Sequence, residues 1–118
     1  MRCGIDALEI KRCAELLAHP RWLERIFTPA ERVYIFASPA HSLERIAGRF
    51  AAKEALFKAL SPVISVPFLT FCQSCEVAPG VHGPVVQFNG PLAHLSEYTV
   101  ALSITHTRES AFACAIAV

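Results

Sequence analysis

The sequence lacks a long apolar run. Its longest one, around residues 63–72, is interrupted by Ser65, Pro67 and Thr70, whereas a membrane-spanning helix needs about 20 predominantly apolar residues in succession. The opening MRCGIDALEIKR has no apolar core ahead of its charges, so we expect neither a secretion signal nor a membrane partner. A chain of 118 residues suits one folded unit, and we predict a single domain over residues 1–118.

Positive charge is missing from most of the second half. No Lys or Arg occurs between Ala59 and Thr107, while residues 1–58 hold ten of the eleven Lys and Arg and seven of the ten acids, a net charge of +3. A segment so poor in long cations indicates surface that a second copy covers, and hence self-association. The basic first half suits an anionic substrate or an acidic partner, but +3 is too weak to indicate nucleic acid binding.

The five cysteines follow no disulfide or zinc pattern. An odd number without a secretion signal predicts free thiols in a reducing cytoplasm. Cys72-Gln-Ser-Cys75 is a lone CxxC, with no second pair and no histidines at ligand spacing, so two thiols in a strand are favoured over zinc or redox chemistry.

Helical signals dominate the first half of the chain. Apolar spacing typical of a helix begins at Asp6, after a short strand over Met1–Ile5, and is broken at Pro20. Thr28 and Glu31 form the pattern of a capping box. The predicted helices cover residues 6 to about 19, Pro29 to about Ala37, and, with Ser42 as N-cap, about Leu43 to Leu60.

The second half changes to short runs rich in β-branched and aromatic residues, which predict strands. Turn signals lie at residues 78–84, and the loop of a closing hairpin is expected at residues 105–110. Helices first and strands later predict an α+β domain, with N-terminal helices packed on a C-terminal antiparallel sheet. The predicted strands are Phe71 to Val77, Val85 to Phe88, Tyr98 to Ile104 and Ala111 to Val118.

One acidic residue shares the apolar face of the long predicted helix. Glu54 keeps three- and four-residue spacing with apolar positions. An unpaired carboxylate there loses several kcal/mol of hydration, so it needs a salt bridge, a raised pKa or a metal ion. Lys58, four residues on, offers the salt bridge. The apolar residues of this face are Leu43, Ile46, Ala47, Phe50 and Phe57.

Asp6 and His106 are the other candidate site residues. Asp6 lies where the predicted first strand gives way to a helix, so it suits either an N-cap or, together with Glu54, a two-carboxylate Mg²⁺ site completed by water and phosphate. His106 lies between two predicted strands, flanked by Thr105 and Thr107. It suits either a phosphate contact or a solvated turn.

Three stretches of the sequence occur together and in order: GIDALEIKR, GRFAAKEALFKA and SITHTRESAFACAIAV. They closely resemble the motifs of the holo-acyl carrier protein synthases, which are small 4'-phosphopantetheinyl transferases, and HGP at residues 82–84 resembles the hairpin of that family. The resemblance implies the family's fold and Mg²⁺-dependent transfer of the phosphopantetheine arm from coenzyme A to a serine of apo-acyl carrier protein. Adenosine 3',5'-bisphosphate would be the by-product, and the reaction would serve fatty acid biosynthesis in the cytoplasm.

The resemblance also implies a role for each matching residue of the long helix and of Asp6. Asp6 and Glu54 would hold Mg²⁺ against the pyrophosphate of coenzyme A, and Lys58 would contact the phosphate at the bond that breaks. Arg49 and Lys53 would add positive charge for the phosphates. The proton of the carrier serine would pass to Glu54 or to a water held by the metal.

The remaining implied contacts lie outside the long helix. His106 and Thr107 would bind nucleotide phosphate from a neighbouring subunit of a homotrimer, whose active sites lie at subunit boundaries. Lys11 and Arg12 resemble a docking surface for the acidic carrier protein, which Arg21 or Arg25 would extend.

The sequence departs from the family pattern after Leu60. Ser61-Pro62 replaces a glycine-containing loop, and Pro62 has no N–H to offer a nucleotide. Two alternatives to the transferase stay open on the sequence. One is another two-carboxylate Mg²⁺ phosphotransferase or phosphohydrolase, and the other, which the altered loop favours, is a non-catalytic subunit that binds carrier protein.

Overall fold

A computed structural model describes all residues, 1–118, as five helices and five strands joined by loops and 3-10 segments. The helices are α1 (Cys13–Leu17), α2 (Pro20–Ile26), α3 (Pro29–Phe36), α4 (Ser42–Leu60) and α5 (Phe68–Ser74). The strands are β1 (Arg2–Glu9), β2 (Cys75–Ala78), β3 (Val85–Phe88), β4 (Val100–His106) and β5 (Ser110–Ala117). None of the helices combines the length and the apolar composition that a membrane span requires. Two consecutive helical segments, Pro39–Val63 and Phe68–Ser74, reach that length and composition only when taken together, and the chain bends by 109° between them.

All strand pairs are antiparallel, and they form two sheets. A three-stranded sheet has the order β1-β5-β4, and β2 pairs with β3 in a separate two-stranded sheet. The predicted α+β class with antiparallel pairing is confirmed. The prediction of one C-terminal sheet is wrong in detail, because the N-terminal strand β1 completes the larger sheet along the edge of β5.

Small side chains let α4 lie close against the three-stranded sheet. Along β5, alanines alternate with larger residues, and every alanine from Ala111 to Ala117 is buried toward α4. The facing surface of α4 also carries buried alanines. Alanine against alanine brings helix and sheet backbones nearer than Leu or Phe would allow. The alanines of α4 in this contact are Ala51, Ala52, Ala55 and Ala59.

Gly4 marks the closest approach between β1 and α4. A Cβ atom at this position would lie 1.9 Å from the carbonyl oxygen of Ala55 and 2.8 Å from the backbone nitrogen of Ala59. Both atoms belong to the helix backbone and cannot move aside as a flexible side chain would. Glycine is therefore required sterically at this crossing, and the crossing fixes Asp6, two residues later, beside the C-terminal half of α4.

The capping box that begins α3 is confirmed. The backbone N–H of Glu31 donates to the Thr28 hydroxyl (3.3 Å), and the backbone N–H of Thr28 donates to the Glu31 carboxylate (2.8 Å). Ser42, in contrast, does not cap α4: it is the first helical residue, and its hydroxyl donates to the carbonyl oxygen of Pro39 (3.0 Å).

Two predicted element assignments are wrong. Asp6 lies inside β1, paired with Ala113 across the sheet, so no helix begins there and Asp6 is no N-cap. Residues 68–74 form a helix, where a strand from Phe71 was predicted. Phe68 and Phe71 both pack edge-on against Phe57, with ring centroids 5.2 and 5.3 Å away, and residues three apart share a face only in a helix.

The outer face of the three-stranded sheet, pointing away from α4, is mostly apolar and is uncovered. Ile5 is 68 % exposed, and Phe112 and Ile116 are also exposed on it. Over residues 3–7, 101–105 and 112–116 no charged side chain points outward. The remaining residues of this outer face, by strand alternation, are Cys3, Ala7, Ala101, Ser103, Thr105 and Cys114.

Replacing Gly4 with alanine tests the crossing of β1 and α4. Because the added methyl group meets backbone atoms, we expect Gly4→Ala to lower the free energy of unfolding by about 3 kcal/mol, the upper end for overpacking. Urea denaturation measures this. Gly48→Ala is the matched control, since its Cβ would meet only a side-chain methyl of Ile104 at 3.2 Å and alanine favours a helix. Equal stability of the two variants would contradict the close contact.

Candidate functional site

Asp6, Glu54 and Lys58 come together where β1 crosses α4. The Lys58 ammonium donates to the Asp6 carboxylate (3.0 Å) and to the carbonyl oxygen of Ile5 (3.1 Å). Glu54 is half-buried, and its carboxylate has no hydrogen-bond or ion-pair partner. Burial raises the pKa of Glu54, the nearby Asp6 raises it further, and Lys58 lowers it. The structure thus unites these three residues, although Lys58 pairs with Asp6 rather than with Glu54.

The two carboxylates suit a magnesium ion by donor type and by number. Glu54 has both oxygens free, and Asp6 is bonded at one oxygen only. No group of three or more His, Cys, Asp or Glu side chains in the chain could hold a metal. A cation here would therefore take most of its ligands from water and phosphate, which is how proteins commonly bind Mg²⁺.

Lys53 is not part of this cluster, so its predicted contact with phosphate does not fit the structure. Its side chain is fully buried, and its ammonium lies 2.6 Å from the Glu31 carboxylate. It also donates to the carbonyl oxygens of Ile26 (2.9 Å) and Cys72 (2.5 Å). Every N–H of the ammonium is therefore used, and Lys53 joins α4 to α3, α2 and α5 as a structural cation.

A second group of polar residues lines an open cleft of about 400 Å³ on the other flank of α4. Arg49 reaches it from the helix, and His106 from the end of β4. The loop between β2 and β3, which includes the predicted HGP turn, forms the facing wall. The cleft is lined by Tyr34, His41, Glu44, Arg45, Gly48, Arg49, Pro79, Gly80, Gly83, Pro84, Ile104 and His106.

Arg49 is the cation buried deepest in this cleft. Its residue exposure is 8 %, and its Nε atom is the only buried side-chain nitrogen or oxygen in the chain without a hydrogen-bond partner. No carboxylate pairs with it. Burial lowers the pKa of Arg49, as does the charge of Arg45, while Tyr34 and Glu31 raise it. An unpaired buried cation that borders a cleft is suited to an incoming anion.

His106 and Thr107 close the β4–β5 hairpin at the mouth of the cleft. His106 is the last residue of β4 rather than a loop residue, and its Nε2 lies 3.8 Å from the Glu44 carboxylate. The Thr107 hydroxyl accepts hydrogen bonds from the backbone N–H groups of Glu109 (3.2 Å) and Ser110 (3.1 Å). Thr107 therefore shapes the turn that holds His106.

The carboxylate cluster and the arginine cleft are separated by α4. Asp6 and His106 lie on the two edge strands of the sheet, with β5 between them, and both face the helix side. The two strands are roughly 10 Å apart, and α4 packs mainly on β1 and β5. Around the helix, Arg49 and Glu54 point about 140° apart. None of the residues of the carboxylate cluster lines the cleft, and we call these two groups of residues the half-sites of the chain.

The remaining predicted site residues lie at the surface. Lys11 and Arg12 form a 3-10 turn after β1 and Arg21 lies on α2, all three exposed. Ser61 and Pro62 continue α4 as a 3-10 turn, where the Ser61 hydroxyl donates to the carbonyl oxygen of Lys58 (3.4 Å).

Tyr34, Glu44 and Arg45 were not identified as site residues from the sequence. Arg45 and Arg49 are four residues apart on a predicted helix, and that spacing alone places two cations on one face. Nothing in the sequence indicates the contribution of Tyr34, because it depends on how α3 packs against α4.

Comparison with known proteins agrees with this architecture. The family model of the 4'-phosphopantetheinyl transferase superfamily matches residues 2–117. A holo-[acyl-carrier-protein] synthase of Geobacillus kaustophilus is 42% identical over 113 residues, covering 93% of this chain and 82% of that protein. One of Chlamydia trachomatis serovar D is 40% identical over 117 residues, covering 97% of this chain and 96% of that protein.

Solved structures show the same fold. The ACPS–CoA complex of Chronobacterium ammoniagenes has a TM-score of 0.81 at 34% identity, covering 97% of this chain and 93% of that one. A holo-(acyl-carrier-protein) synthase of Bacillus anthracis, in complex with CoA (3',5'-ADP), has a TM-score of 0.77 at 33% identity, covering 98% and 94%. The chain therefore belongs to the 4'-phosphopantetheinyl transferase superfamily, among its holo-acyl-carrier-protein synthases.

Proposed function

We propose that this protein transfers 4'-phosphopantetheine from coenzyme A to a serine of apo-acyl carrier protein, and that it requires Mg²⁺ and releases adenosine 3',5'-bisphosphate. The observation that carries the proposal is the meeting of Asp6, Glu54 and Lys58 at the crossing of β1 and α4. Two acids and a lysine at one point suit a metal-bridged pyrophosphate. The solved relatives in complex with CoA support coenzyme A as the donor.

Each half-site then has a part in binding coenzyme A. Asp6 and Glu54 would hold Mg²⁺, which when bound supplies positive charge to the pyrophosphate and to the departing phosphate. Lys58, already held at the cluster by Asp6 and the carbonyl of Ile5, would contact the phosphate at the bond that breaks. Arg49, His106 and Thr107 would bind nucleotide phosphate in the cleft.

The attacking serine hydroxyl of the carrier protein must lose a proton. Glu54 is the carboxylate of the cluster that has no ion pair, whereas Asp6 is already bonded to Lys58. We therefore assign Glu54 as the group that accepts this proton. The oxygen of the serine then bonds to the β-phosphorus, and the bond from that phosphorus to the adenosine bisphosphate oxygen breaks.

A complete site needs two copies of the chain, because α4 separates the half-sites within one copy. The outer face of the sheet offers the contact: it is apolar, carries no charge over its central residues and exposes Ile5, Phe112 and Ile116. We propose a homotrimer of the single domain 1–118, with each active site at a subunit boundary. An uncovered apolar face of this kind is typical of an interface.

The acidic carrier protein would dock on Lys11, Arg12 and Arg21, with Arg25 alongside on α2. All four side chains are exposed, so these contacts should act mainly on the association rate and its salt dependence. The five unpaired thiols support a reducing cytoplasm as the location.

Replacing Glu54 with glutamine tests the reaction. Wild-type protein incubated with coenzyme A, Mg²⁺ and apo-acyl carrier protein should raise the mass of the carrier by one phosphopantetheine arm, as read by mass spectrometry. Because Glu54→Gln removes a metal ligand and the proton acceptor together, we expect the transfer rate to fall about 10³-fold with an unchanged thermal unfolding midpoint.

Glu97→Gln, an exposed acid in the 3-10 segment before β4, is the matched control and should keep full activity. Wild-type transfer by Glu54→Gln would refute the role of Glu54. Release of adenosine bisphosphate without a carrier would instead indicate a hydrolase. An inactive wild-type chain that still binds the carrier would indicate a non-catalytic subunit.

Mixing two inactive variants tests whether sites form between copies. Asp6→Ala disables the carboxylate cluster and His106→Ala disables the cleft, so each variant alone should be inactive. In a randomly mixed assembly, a boundary site is intact when the cluster and the cleft come from the right copies, which gives roughly a quarter of wild-type specific activity.

The control for this experiment mixes Asp6→Ala with Glu54→Gln. Both changes lie in the same half-site, so no boundary becomes intact and no activity should return. Differently tagged chains, co-purified, would prove that the copies mix. Absence of rescue in proven Asp6→Ala and His106→Ala mixtures would mean that the site lies within one chain.

A further inference from the structure

The ring of Tyr34 lies against two guanidinium groups in the cleft. The Cζ atom of Arg45 lies over the ring at 4.1 Å from its centroid, and that of Arg49 at 4.3 Å. Arg45 also donates from Nη1 to the backbone carbonyl oxygen of Tyr34 (2.5 Å). One residue of α3 is therefore in contact with two arginines that lie one turn apart on α4.

This arrangement keeps two like charges together without a neutralising carboxylate. Neither Arg45 nor Arg49 forms an ion pair, and the Nε of Arg49 is buried without a partner. The negative face of an aromatic ring offsets part of that cost through cation–π attraction. It does so without taking up N–H groups, as a carboxylate would. The guanidinium N–H groups of Arg49, and those of Arg45 that do not donate to the Tyr34 carbonyl oxygen, therefore stay available for a ligand.

The acidic residue of the cleft, Glu44, lies next to two histidines. The Glu44 carboxylate lies 3.4 Å from Nδ1 of His41 and 3.8 Å from Nε2 of His106. It forms no ion pair with either arginine. The arginine pair is left as the part of the cleft that lacks a counter-charge.

We propose that Tyr34 is a positioning residue that holds Arg45 and Arg49 for one phosphate group, and that Arg45 is thereby a further phosphate ligand of the cleft. The inference rests on the proposed function, because it takes the ligand to be the nucleotide part of coenzyme A. Two guanidinium groups on one face of α4 can donate to several oxygens of one phosphate at the same time.

Binding of adenosine 3',5'-bisphosphate, measured by calorimetry, tests the role of Tyr34. Tyr34→Leu removes the ring and should raise Kd about tenfold. Tyr34→Phe keeps the ring and should bind like wild type, because the Tyr34 hydroxyl makes no hydrogen bond in the structure. Val33→Ala, on the exposed side of the same helix, should also match wild type.

The role of Arg45 is tested by a double-mutant cycle. Arg45→Gln should weaken binding by about tenfold or more, and Tyr34→Leu combined with Arg45→Gln should lose less than the product of the two separate losses. In the transfer assay, Tyr34→Leu should raise KM for coenzyme A and leave kcat within about twofold, since the ring does not touch the carboxylate cluster.

Three results would overturn the proposal: unchanged Kd in Tyr34→Leu, an equal loss in Tyr34→Phe, or a full product of losses in the double variant. These binding results are independent of turnover. A wild-type chain that binds the nucleotide with the expected variant pattern yet transfers nothing would refute the transferase alone. Normal transfer with an unaffected Tyr34→Leu would refute this inference alone.

Discussion

The close contact between α4 and the three-stranded sheet is the constraint on which the rest of the structure depends. Alanines on both surfaces and Gly4 at the crossing let the helix lie almost against the strand backbones. This contact places Asp6, a residue of the sheet, beside Glu54 and Lys58 of the helix, more than 40 positions away in sequence. The helix packs mainly on β1 and β5 and much less on the other edge strand, β4. The same packing therefore builds the carboxylate cluster and leaves His106 on the other edge strand of the sheet.

Lys53 and Glu54 are consecutive residues of α4 with opposite roles. Lys53 is fully buried in an ion pair with Glu31, and the second oxygen of Glu31 accepts from the backbone N–H of Val77 (2.7 Å). Burying two charges costs several kcal/mol of hydration each, and here every N–H of the ammonium and both oxygens of the carboxylate have partners. About 100° further round the helix, Glu54 is half-buried with no partner. The fully hydrogen-bonded pair of Lys53 and Glu31 fixes the rotation of α4 about its axis. That rotation directs Glu54, which has no partner, toward the site.

Much of this arrangement can be predicted from the sequence. The rest depends on tertiary contacts. The capping box at Thr28, the long helix to Leu60 and the closing hairpin were predictable because local chemistry determines them. The local pattern predicts that Asp6 lies at a helix end. It lies instead in a strand that is stabilised by pairing with β5, and no local pattern shows that pairing. The resemblance to the family implies a phosphate contact for Lys53, whereas its partner in the structure is Glu31, 22 positions away. The stacking of Arg45 and Arg49 on Tyr34 depends on the packing of α3 against α4. Each of these assignments depends on contacts between distant segments.

The separation of the two half-sites by α4 is the central claim, and a crystal structure of the protein with coenzyme A and Mg²⁺ tests it most directly. The account predicts one coenzyme A molecule spanning two copies. Its pyrophosphate would lie at Asp6 and Glu54 of one copy, and a nucleotide phosphate would lie between Arg49 and His106 of the next. A coenzyme A molecule whose pyrophosphate and nucleotide phosphate are both bound by a single copy would contradict the account.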